Sequence, residues 1–134
     1  MTPILTQFLA ESRDVLQSIS EKLIGLEEAP DNAALMTELF RFVHTLKGNS
    51  GLFDFPEMTR VLHAAEDLMV VVRDGDLAYS QDLADRLFEA MDFVGMLLDE
   101  IEKTGKTGGA HVGASARLAC TIQEPSPARA KSIE

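Results

Sequence analysis

Apolar residues return every three to four positions through four successive stretches of this chain, and each stretch ends at a residue that breaks helices. That rhythm marks amphipathic helices. In residues 3–28, Leu5, Phe8, Leu9, Ser12, Val15, Leu16, Ile19, Leu23 and Leu26 keep the period, while Glu11, Arg13, Asp14, Gln17, Glu21 and Lys22 mostly take the wet side. Thr2 before Pro3 predicts an N-cap followed by proline at the first helical position. Ala29-Pro30-Asp31-Asn32 stops this helix and caps the next. The second helix is predicted over 33–52, with Leu39, Phe42, Val43, Leu46 and Phe53 as its stripe. A break at 53–57 follows, where Asp54 and Glu57 have the spacing of a capping box. The third helix runs to about Arg73 on Met58, Val61, Leu62, Ala65, Leu68, Met69 and Val72, and Gly75 ends it as a C′ residue. The fourth starts after Ser80 and runs to about Thr104, with Leu83, Leu87, Ala90, Met91, Val94, Leu97, Leu98 and Ile101 inside and Gly105 as its stop. Four such helices with short connections predict an all-α domain over residues 1–104, an antiparallel up-down four-helix bundle.

The composition changes after Gly105. Gly105, Gly108, Gly109 and Gly113 predict a flexible connector over 105–114. Leu118 and Ile122, one turn apart, predict a short fifth helix over 115–122. Residues 123–134 read as a linker tail with Pro125 and Pro127, as at the front of a longer protein. His111 falls in the predicted connector, with no role expected.

A net charge of −10 argues against nucleic acid or an anionic membrane surface as partner. No run of about 20 apolar residues is present to span a membrane, and the N-terminus lacks the basic and apolar blocks of a secretory signal. Cys120 is the single cysteine, so no disulfide forms within the chain. These features together predict a cytoplasmic domain.

The chemistry concentrates in Val43-His44-Thr45-Leu46-Lys47-Gly48-Asn49-Ser50-Gly51. His44 lies just off the apolar stripe. Phe40, Lys47, Gly48 and Gly51 fall at i−4, i+3, i+4 and i+7 and share its face. Glycine inside a helix costs roughly 1 kcal/mol relative to alanine. Two of them beside a histidine predict bare backbone that lets another protein approach the imidazole, with Ser50 in the same contact region. Lys47 places a cation where an anion carried by His44 would sit.

The second and third helices turn near residues 54 and 55, so facing positions have numbers that sum to about 109. His44 is therefore level with about residue 65, and His63 and Glu66 straddle that level on one helix face. Glu66 is predicted to accept a hydrogen bond from one ring nitrogen of His44, leaving the other as an outward lone pair. His63 is expected to stand behind that pair. The result would be a nucleophilic histidine, oriented from behind and open in front.

A metal site is the chemical rival, with His44, His63 and Glu66 as three ligands. Carboxylate-bridged bundles want two Glu-x-x-His motifs and two further glutamates, whereas His63-x-x-Glu66 has the reverse order and occurs once. No Cys-x-x-Cys or His-Glu-x-x-His is present, and no metal is expected. Nor is there a Gly-x-x-x-x-Gly-Lys-Ser/Thr loop to hold nucleotide phosphates.

The run His44-Thr45-Leu46-Lys47-Gly48-Asn49-Ser50-Gly51 resembles the phosphorylation motif of histidine phosphotransfer (HPt) domains, and most closely that of the CheA histidine kinase family. Phe40-Arg41-Phe42-Val43 before it and Leu62-His63-Ala64-Ala65-Glu66-Asp67-Leu68 on the next helix look like the CheA branch. The resemblance covers about residues 4–104. It implies that His44 is phosphorylated on Nε2, that Lys47 meets the phosphoryl oxygens, and that Glu66 bonds the other ring nitrogen. It implies a phosphoryl relay in which this domain binds no cofactor of its own. A separate kinase domain with ATP and Mg would supply the phosphoryl group, and a response-regulator receiver domain, CheY-like or CheB-like, would take it onto an aspartate. Two other readings stay open. The chain could be a stand-alone HPt protein of a multistep relay, or a helical adaptor that does no chemistry.

Overall fold

The computed structural model describes residues 2–106 and 111–123. Five helices follow in order: α1 (Pro3–Glu28), α2 (Ala33–Leu52), α3 (Pro56–Arg73), α4 (Gln81–Thr104) and α5 (Val112–Gln123). The first four close a ring in which α1 packs on α2 and α4, and α3 packs on the same two. This is the up-down bundle that the apolar period implied. Ile19, Leu23, Leu46, Met58, Leu62 and Leu97 are among its fully buried side chains. At one end Phe8 packs against Phe53 and Phe55, with ring centroids 4.6 and 5.5 Å away.

Local chemistry sets the ends of the helices. The Thr2 hydroxyl accepts from Leu5 N–H at 3.1 Å, Asn32 Oδ1 from Leu35 N–H at 3.1 Å, and Ser80 Oγ from Leu83 N–H at 3.3 Å. Each satisfies a donor that the first helical turn leaves unpaired. Gly75 has φ +83°, with its N–H on Val72 O, and Asp76 N–H reaches Val71 O. That is the left-handed helix stop for which glycine carries no steric penalty.

The α2–α3 turn corrects one expectation. Asp54 and Glu57 form no capping box, because the residue at the cap of α3 is Phe55, which makes no side-chain cap bond. Pro56 occupies the first helical position and holds the residue before it out of the helical region. Asp54 instead ends α2. It sits at φ +61°, with its N–H on Gly51 O at 3.1 Å and Phe55 N–H on Ser50 O at 2.9 Å. Asp tolerates this left-handed position better than most side chains.

The fifth helix is longer than the 115–122 expected and begins inside the predicted connector. It lies against α3 and α4. Ser115, Leu118 and Ile122 face inward. Arg60 Nη1 donates to Val112 O at 3.3 Å and to Ser115 Oγ at 3.2 Å, and Gln123 donates to Asp67 at 3.0 Å. This cover explains why Ala64, outside the apolar stripe read for α3, is buried. His111 also has a place: its Nε2 meets the Glu100 carboxylate, and its ring stands edge-on to Phe93. Most of the linker tail read from composition lies outside the described residues.

Candidate functional site

Turning 100° per residue, α2 buries Leu39, Val43 and Leu46 and carries His44 to the flank beside α3. The His44 side chain is 63% exposed. Its Nδ1 lies 2.7 Å from Glu66 Oε2 on α3, and Lys47 Nζ donates to Glu66 Oε1 at 2.8 Å. Both oxygens of one carboxylate are thus engaged by two side chains a turn apart on α2. The pairing has the register expected from the position of the turn, and Ser50 Oγ lies 2.8 Å from Thr59 Oγ1 in the same register.

Glu66 is only 12% exposed. Burial alone would push its carboxyl up, but the hydrogen bonds and charges of Lys47 and His44 together outweigh that and hold it below its ordinary value. It is therefore ionised at neutral pH and can only accept. The proton of a neutral imidazole must then sit on Nδ1. Nε2 keeps its lone pair, and no other described group bonds to it. The arrangement presents an oriented, solvent-facing nitrogen nucleophile.

The surroundings are bare on one side. A methyl group added at Gly48 or Gly51 would meet nothing within 4 Å. Leu52, two turns beyond His44, is 82% exposed. On the other side Phe40 lies nearly parallel to the imidazole, at 13° and 6.2 Å between centroids, and Arg73 Cζ sits 4.6 Å from the Phe40 centroid.

Two expected neighbours stand elsewhere. His63 does not join His44. Its Nε2 pairs with Asp67 at 3.4 Å, the residue four positions on along α3. Ser50 is no surface contact, because it falls on the buried stripe with Val43 and Leu46 and is fully enclosed. Its hydroxyl donates to Lys47 O at 2.7 Å. Arg73 is a neighbour that the spacing around His44 does not single out, although it follows Glu66 by seven residues and so shares its helix face. Among the described residues no three His, Cys, Asp or Glu side chains converge as a metal site. None of the described helices is long and apolar enough to cross a membrane.

Residues 3–104 match the family model described as the Hpt domain, and the chain belongs to that family. The chemotaxis protein CheA of Halobacterium salinarum is 40% identical over 105 residues, covering 78% of this chain and 16% of that protein. CheA of Bacillus subtilis is 35% identical over 101 residues, covering 75% and 15%. The chain thus spans about one sixth of the length of these curated relatives. A solution structure of the histidine phosphotransfer domain of CheA matches with a TM-score of 0.82 at 29% identity, over 92% of this chain and 91% of that one. The crystal structure of the phosphorylated P1 domain of CheA3 in complex with CheY6 from R. sphaeroides matches with a TM-score of 0.81 at 27% identity, over 92% and 94%. This is an Hpt domain of the CheA type.

Proposed function

We propose that this domain carries a phosphoryl group on His44 Nε2, from a separate kinase domain holding ATP and Mg to an aspartate of a response-regulator receiver, CheY-like or CheB-like. The observation that supports it most is the His44–Glu66–Lys47 constellation, with Nδ1 tied down and Nε2 open. A similar P1 domain, seen phosphorylated and bound to CheY6, supports the receiver half of the reading.

In the first step the Nε2 lone pair forms a bond to the terminal phosphorus as the bond from that phosphorus to the bridging oxygen breaks. The ring becomes cationic, its Nδ1 proton still held by the Glu66 carboxylate. That negative partner favours the charged ring, as a carboxylate does behind a metal-bound histidine. Lys47, one turn away and already beside Glu66, supplies positive charge to the new phosphoryl oxygens. In the second step a receiver carboxylate oxygen bonds to phosphorus, the N–P bond breaks, and the electron pair returns to Nε2. Gly48 and Gly51 leave room for both partners to close over the ring. His63, turned to Asp67, borders a groove with Gly51 and Arg60 rather than the imidazole. The carrier unit is the bundle of residues 1–104, buttressed by α5, and a reaction that needs ATP and a receiver belongs in the cytoplasm.

The test is a chase. The chain is labelled by a CheA-type kinase core with ATP, stripped of nucleotide, and mixed with a CheY-type receiver. Label should leave the chain and appear on the receiver, and His44→Gln should carry none. A labelled chain that loses nothing to the receiver overturns the transfer reading. A folded chain that never takes label leaves the adaptor in first place.

A further inference from the structure

Two further side chains stack beside His44: Phe40, one turn before it on α2, and against Phe40 the guanidinium of Arg73 from the last turn of α3. The Phe40 and His44 rings are within 13° of parallel at 6.2 Å between centroids, inside the range of offset stacking. The Arg73 guanidinium carbon is 4.6 Å from the Phe40 centroid, inside the range of cation–π attraction. Among the described residues Arg73 is otherwise lightly engaged, with a 3.5 Å contact from Nε to the neighbouring Asp74. The Glu66 bond orients the imidazole through Nδ1 but allows the exposed ring a small swing about that orientation. Phe40 limits the swing on the side away from the glycines, but Phe40 is itself only half-buried.

We infer that Arg73 is a positioning residue for the phosphoryl reaction: by stacking on Phe40 it fixes the wall against which the His44 ring is held. The inference rests on the relay reading above. Arg73 does not touch the reacting atoms and acts through Phe40. Guanidinium is suited to this because it is planar, always charged and weakly hydrated, so it stacks on an aromatic face with little loss.

The test compares the parent with Arg73→Ala and Arg73→Lys, each also in a Phe40→Leu background. The ring-proton shifts of His44 are read by NMR, and phosphorylation by a CheA-type kinase core is read with kcat and KM separated. Arg73→Ala should move the His44 ring protons as the Phe40 ring, and the ring current it casts on them, shifts. It should lower kcat about two- to fivefold, the factor that a ~0.5–1 kcal/mol contact represents. KM should stay, the melting temperature should fall by no more than the few degrees that the same contact is worth, Arg73→Lys should recover part of the rate, and Arg73→Ala should change neither rate nor ring shifts further once Phe40 is Leu. Unchanged ring shifts and kcat overturn the inference. So does a change confined to KM, which would make Arg73 a contact to the kinase. A parent chain that takes no phosphate sinks the relay reading instead, and the ring shifts still decide whether Arg73 orders the stack.

Discussion

Replacing Glu66 by glutamine keeps its shape and should reverse the tautomer of His44. In the parent, two donors face two acceptor oxygens: His44 Nδ1 at 2.7 Å and Lys47 Nζ at 2.8 Å. The glutamine amide has one acceptor and one donor end. Lys47 can only donate, so it claims the amide oxygen and turns the NH2 toward Nδ1. Nδ1 must then accept, the ring proton moves to Nε2, and the nucleophilic lone pair is lost from the open side. A hydrogen bond to a charged group is worth about 1.5–3 kcal/mol. His44 is 63% exposed, so the lower end applies, and ~1.5 kcal/mol is about tenfold in rate. Glu66→Gln should therefore be phosphorylated about tenfold more slowly by a CheA-type kinase core. The ring ¹⁵N shifts should exchange, with Nε2 becoming the protonated nitrogen. A variant that keeps its proton on Nδ1 and reacts within about twofold of the parent would refute the argument.

Other outcomes follow from the same geometry. The lowered pKa of Glu66 means that its pairing stabilises the fold above its unfolded-state pKa, and that this contribution is lost as pH falls through the lower folded-state value. Urea titrations from neutral to acid pH should show the parent's advantage over Glu66→Gln shrinking in that window. Tyr79, the sole tyrosine of a chain without tryptophan, has its hydroxyl pushed up to about 12 by burial and then by the Glu27 and Asp85 charges. Its absorbance titration should lag that of the unfolded chain, and stability should be intact below pH 10 and fall as pH rises toward 12. Gly48→Ala meets open space and should raise stability by about 0.5–1 kcal/mol in urea unfolding, while Gly48→Leu should keep the fold and slow transfer to the receiver. Ser12→Ala should stabilise by about 1 kcal/mol, because the buried Ser12 hydroxyl finds no hydrogen-bond partner among the described residues; a lower melting temperature would count against this.

Much of the fold can be read directly because the residues that decide it act locally. Thr2, Asn32 and Ser80 each cap the helix that follows, and Gly75 and Gly105 end helices at positive φ. The His44–Glu66 pair is legible because a short turn fixes the register of two long helices. Where local rules fall short, a competing residue or a nonlocal contact decides. Asp54 looked like a cap, but Pro56 shifts the cap by one residue. Ser50 stands between glycines in the sequence, but its angle on the helix places it with Val43 and Leu46. His63 is close enough in number to face His44, yet a nearer carboxylate, Asp67, takes its ring. The start of α5 is hidden by glycines, and a polar contact holds it: Arg60 on α3 donates to Val112 O and Ser115 Oγ. Arg73 reaches Phe40 through a long side chain, which spacing alone does not reveal.

The proposed relay needs His44 Nε2 as its nucleophile. It is tested most directly by intact mass and NMR identification of the phosphohistidine isomer after incubation with a CheA-type kinase core and ATP, on the parent and on His44→Gln. One phosphate is expected on the parent, bonded to Nε2 of His44, and none on the variant. A phosphate on Nδ1 or on another residue, or none on a folded parent, would contradict it.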